Sequence, residues 1–111
     1  MPALSLLYVV AKLAERKVDR EGAGALVGNE VSVALEELFD ELHRLWREKG
    51  VALCSDFHLV LDQLDLLEAV GYLRKHVDES KRVERVVLAI ETLSKLDEII
   101  PEYVKKNLPI V

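Results

Sequence analysis

The chain has 111 residues, 50% of them hydrophobic and 32% charged, with a net charge of -5, which is material for one core but not for two. That negative balance denies the surface the broad positive field that non-specific coating of nucleic acid requires. The only cysteine, Cys54, excludes an internal disulfide and a structural zinc site built from cysteines.

The opening stretch, Met1 to Val10, is apolar but carries no basic residue and turns charged at Lys12 and Glu15. It is too short for a membrane span and lacks the signature of a secretory leader, so a cytoplasmic protein with no membrane partner is expected. Amide side chains are confined to Asn29, Gln63 and Asn107, a bias that selection at high temperature leaves behind, so a thermophilic source is expected.

Leu4, Leu7, Tyr8, Ala11 and Ala14 recur at helical spacing and predict a helix over 3–17 with one buried face. The stretch 18–31 contains Gly22, Gly24 and Gly28 and loses the period, which predicts a loop. Those glycines follow a helix and Val27 stands where a dinucleotide fingerprint would need its third glycine, so no cofactor is expected there.

Ser32 as N-cap, Glu36 and Glu37 in the first turn and Lys49-Gly50 at the end predict a helix over 32–49. Leu35, Leu38, Phe39, Leu42, Leu45 and Trp46 form its stripe, which assigns Phe39 and Trp46 to the core and not to base stacking. Asp40 and Arg44 make an i, i+4 pair on its outer side.

Ser55 is the expected cap of a third helix over 55–70, with Phe57, Val60, Leu61, Leu64 and Leu67 in a sector roughly 120° wide. Opposite that sector lie Leu59, Gln63, Leu66 and Val70, so the helix has two apolar flanks. The second flank needs a cover: either the C-terminal helix of the same chain, or a partner or second copy.

Beyond Gly71 two readings stay open. In one, Tyr72 to Val77 and Val83 to Ile90 are strands of a hairpin over 72–90 turning at Asp78-Glu79-Ser80. In the other, Ser80 to Ile100 is one helix and the chain is an all-α bundle of four to five helices. A last helix over 92–107 follows through Leu93, Leu96, Ile100, Tyr103 and Val104, with Pro101 starting a new turn or kinking the old one. The expected fold class is thus mostly α with a small β-hairpin.

This order, together with Leu35-Glu36-Glu37-Leu38-Phe39, Leu64-Asp65-Leu66-Leu67 and Gly71-Tyr72-Leu73, resembles a winged-helix domain, nearest the C-terminal winged helix of archaeal replication-initiator ATPases. The resemblance covers half the chain, 35–90, and implies DNA docking through the third helix and the hairpin, the wing. No Gly-Lys-Ser/Thr phosphate loop is present, so the ATPase activity of that family is not implied here. The third helix also departs from a DNA reader: it carries Asp56, His58, Asp62, Gln63, Asp65 and Glu68 and no Lys or Arg, where base edges and phosphates call for donors.

The hairpin holds Arg74, Lys75, Lys81, Arg82 and Arg85 against Asp78, Glu79 and Glu84, enough cations to touch phosphates without reading sequence. Cys54, His58 and Asp62 have ligand spacing, but a fourth ligand is missing and Cys54 precedes the helix, so no metal site is expected. Asp40 and His43 make half of a carboxylate-x-x-His motif without a second copy. Cys54 and His58 lack the orienting third group of a nucleophilic site.

The expectation is therefore a non-enzymatic winged-helix protein-interaction module, a homodimer or a subunit of a larger DNA-associated complex, with Leu59, Gln63, Leu66 and Val70 as its interface. It should have no cofactor, metal or small-molecule substrate. The alternative is a DNA-binding regulator or replication-related factor docking through the hairpin and Lys12, Arg16 and Lys17. A helical enzyme or toxin-like nuclease remains only if Ser80 to Ile100 is helical.

Overall fold

The computed structural model describes residues 2–52 and 56–108. Helix α1 (Pro2–Glu21) opens on a proline, whose missing N–H costs nothing in a first turn. Leu6, Leu7, Tyr8, Val9, Val10 and Ala11 are all buried, because α2, α3, α6 and strands β2 and β4 surround the helix. The expectation of a single buried face is corrected: a helix apolar all round is one that runs through a core.

The predicted glycine loop is replaced by the end of α1, a 3-10 turn at Gly22–Ala25 and two strands, β1 (Leu26–Val27) and β2 (Glu30–Ala34). They form a hairpin whose pairing sets Val27 opposite Glu30, leaving a two-residue turn with Gly28 at φ 63°, a conformation that favours glycine. Val31 and Val33 are buried while Glu30, Ser32 and Ala34 are half-buried, the two-residue alternation of a strand with one face on the core. Ser32 is thus a strand residue and caps no helix.

Helix α2 (Leu35–Lys49) follows β2 directly, with Ala34 at its N-cap and no side-chain cap. Gly50 ends it in the left-handed conformation at φ 69°, and the N–H groups of Gly50 and Val51 donate to the carbonyls of Trp46 and Leu45, which satisfies carbonyls the helix leaves open. The proposed cap Ser55 lies outside the described residues; α3 (Phe57–Ala69) is capped by Asp56, whose carboxylate accepts from the Leu59 N–H at 3.0 Å.

The fork beyond Gly71 resolves as a hairpin of β3 (Arg74–Val77) and β4 (Val83–Ala89), which overturns the all-helical alternative. Val86, Val87 and Leu88 are buried in β4, and pairing on both sides makes it an inner strand of an antiparallel sheet ordered β1-β2-β4-β3. Asp78 shapes the hairpin end: its carboxylate accepts from the N–H groups of Ser80 and Arg82, an Asx-type turn. The fold is mostly α with this small sheet.

The single C-terminal helix expected over 92–107 is three short ones, α4 (Ile90–Ser94), α5 (Leu96–Ile99) and α6 (Glu102–Lys106). Ile100 is extended, as the ring of Pro101 demands of the residue before it. Leu96, Ile100, Val104 and Leu108 nevertheless return to the core at every fourth position, and Tyr103 is exposed.

Candidate interaction face

Helix α3 buries Val60, Leu64 and Leu67 against the core and leaves Leu59 40%, Leu66 41% and Val70 56% exposed, with Gln63 half-buried between them. Its core side packs on α1, and β3 lies along another flank. The C-terminal helices do not cover the outer stripe: α6 packs on α1 and α4 follows β4. Cover by the C-terminal helix is therefore corrected, and the stripe is open among the described residues.

The carboxylates of α3 divide into two kinds. Asp65 and Glu68 both bond the Lys75 ammonium of β3, and Glu68 also accepts from the Lys75 N–H at 2.9 Å. The hydrogen bond that Lys75 donates to Asp65 raises its pKa above the ordinary value, against the opposing effect of desolvation and with the bond to Glu68 assisting. Asp56 and Asp62 make no ion pair among the described residues; Asp56 instead caps the helix, where a negative charge also complements the dipole.

The hairpin cations likewise separate. Arg74 of β3 pairs with Glu30 of β2 at 2.9 Å and Arg85 lies 3.6 Å from its neighbour Glu84, both within the sheet, and Lys75 joins the sheet to α3. Lys81 and Arg82, at the exposed tip, make no ion pair among the described residues, and Lys81 holds a left-handed φ of 63°. Of the α1 cations, Lys12 pairs with Glu15 of the same helix, Arg16 with Glu41, and Lys17 donates to the Ser32 carbonyl at 2.9 Å. Each of these three cations thus has a polar partner within the chain.

A second correction concerns α2. Trp46 is 60% exposed and Phe57 is 51% exposed, although both were expected in the core, while Phe39 is half-buried and stacks on Phe57 with centroids 5.0 Å apart. The residues buried on α2 are Leu35, Leu38, Glu41 and Leu45, so its buried face is turned about 50° from the centre of the apolar stripe, at about 100° per residue. That rotation takes Glu41 inward and Trp46 outward. Glu41 is tolerated because Arg44 bonds it at 2.6 Å and Arg16 lies at 3.5 Å. The Arg44 hydrogen bonds hold its carboxyl below the ordinary value of 4.5, with burial opposing and Arg16 assisting.

Surface grooves flank α1 on two sides among the described residues. One, of about 410 Å³ between α1 and α2, is lined by Arg16, Arg20, Arg44 and Arg47 facing Glu37, Asp40 and Glu41, a nearly balanced ion network. The other, of about 320 Å³, lies between α1 and α4 beside Ile90 and Leu93. No group of three His, Cys, Asp or Glu side chains able to hold a metal occurs among the described residues. Of the sequence-noted ligand set, Cys54 lies outside those residues, and His58 and Asp62 are exposed. Asp40 and His43 are exposed as well. No described helix is long and apolar enough to cross a membrane.

Compared with protein-family models, curated proteins and solved structures, the chain gives no match.

Proposed function

We propose that this chain is a non-enzymatic interaction module of the winged-helix type, in which the helix that would read DNA instead presents Leu59, Gln63, Leu66 and Val70 to protein. The order α1, β2, α2, α3, β3, β4 with β4 between β2 and β3 supports the winged-helix reading, since α3 then takes the recognition position and the 78–82 turn that of the wing. One observation carries the protein-binding reading: an open apolar stripe on a helix with four carboxylates and no Lys or Arg from 56 to 70. Apolar side chains gain by leaving water, and the carboxylates would repel phosphates.

Light scattering and native purification of the wild type and Leu66→Asp test this. The wild type is expected to run above monomer mass or to retain a companion protein, and the substitution to abolish whichever occurs. A wild type that is monomeric, companion-free and indistinguishable from Leu66→Asp overturns the reading.

Lys81 and Arg82, exposed and without an ion pair among the described residues, favour a second reading, a DNA-associated factor that touches phosphates through the hairpin tip. Titration of a labelled duplex should then show affinity that falls steeply with salt and is lost in the double variant Lys81→Glu, Arg82→Glu. No binding at low salt removes it.

A further inference from the structure

Resting on the interaction reading above, we propose that the occupant of the α3 face is an amphipathic helix of another protein, with Lys or Arg flanking its apolar stripe, and not a second copy of this chain. At about 100° per residue, Asp62 lies about 60° to one side of the line through Leu59, Leu66 and Val70, while Asp56 stands at the N-terminal end of the helix as its cap. Neither has a cation beside it among the described residues. Asp65 and Glu68 are turned about 120° or more from that line, on the flank where Lys75 neutralises them. The chain has thus compensated the carboxylates that face its own sheet, while Asp62, which borders the open stripe, has no cation beside it among the described residues.

The geometry also fits a helix. Leu59 to Val70 is a rise of about 16 Å at 1.5 Å per residue, a straight row that a second helix can meet with apolar side chains at i, i+4 and i+7. A second copy presenting the same face would bring the same uncompensated Asp62 and no Lys or Arg from 56 to 70, so the seam would offer that carboxylate no cation. A cationic helix supplies the opposite sign beside Asp62, which favours encounter and penalises wrong partners.

The test uses the full chain and two synthetic, helix-stabilised peptides with the same leucine stripe, one flanked by lysines and one by glutamates. In fluorescence anisotropy at low salt the lysine-flanked peptide is expected to bind at least about tenfold more tightly than the other, with the difference shrinking as salt screens it. Asp62→Lys should narrow the ratio, and Leu66→Ala should weaken both peptides; both positions are exposed, and circular dichroism verifies that each variant keeps the fold. Absent binding, equal binding of the two peptides, or lysine-peptide binding untouched by Leu66→Ala overturns the proposal. A dimer that Leu66→Asp dissolves overturns it too while leaving the interaction reading intact, whereas stripe variants that alter neither mass, companions nor peptide binding remove both.

Discussion

Helices α1 and α3 are both rich in leucine and valine, yet α1 is sealed on every side from Leu6 to Ala11 while α3 keeps Leu59, Leu66 and Val70 in contact with solvent. The difference lies in what surrounds them. Strands β2 and β4 and three helices close around α1, whereas α3 is backed by α1 on one side and β3 on another. Equal apolar content therefore has two meanings: in α1 it holds the fold together, and in α3 the outer half is left over for something else.

Substitutions at matched leucines break or sharpen that contrast. The largest effect is expected for Leu7→Ala in α1, at a fully buried position, with a loss of about 2–5 kcal/mol in denaturant unfolding. Glu41→Gln comes next, at about 1–3 kcal/mol near neutral pH, because it weakens charge-assisted bonds in a largely buried position. The folded Glu41 pKa is depressed, so its contribution is present above the ordinary carboxylate value and lost as pH falls through the folded value. The gap between wild type and Glu41→Gln should therefore close on acidification below about 4.5, and a gap that stays constant in unfolding curves down to acid would remove the ion pair from the account.

Leu66→Ala in α3 should cost less than about 1 kcal/mol, since the side chain is already partly in water, while weakening the interaction. A loss matching that of Leu7→Ala would mean the stripe is covered within the chain. Smallest of all, the double change Lys81→Glu, Arg82→Glu should leave stability within about 0.5 kcal/mol and serve as the control for the DNA titration. As the only tryptophan, Trp46 offers an independent check: its 60% exposure predicts red-shifted emission and ready quenching by iodide in the folded protein, whereas a blue-shifted, shielded signal would restore it to the core.

The local punctuation of the chain was legible. Gly50 and Gly71 end α2 and α3 in left-handed conformations, and the charged stretch through Asp78 turns a hairpin. The strands β1 and β2 were obscured because Gly22, Gly24 and Gly28 lie close together and hide a short alternation, Val31-Ser32-Val33, that a two-residue window would have picked out. The candidate face was legible in part: the second stripe of α3 follows from spacing alone, but whether anything of the same chain covers it does not.

Periodicity, caps and glycines are properties of neighbours along the chain, and for that reason the sequence by itself determined the main helices, the mostly α class and the two-sided character of α3. Which way each helix turns is settled by a balance among distant groups. Arg16 of α1 and Arg44 together make it tolerable to bury Glu41, α2 rotates accordingly, and Trp46 is left outside. The tertiary structure alone decided that, and it alone decided that the C-terminal helices pack elsewhere and leave the face of α3 open.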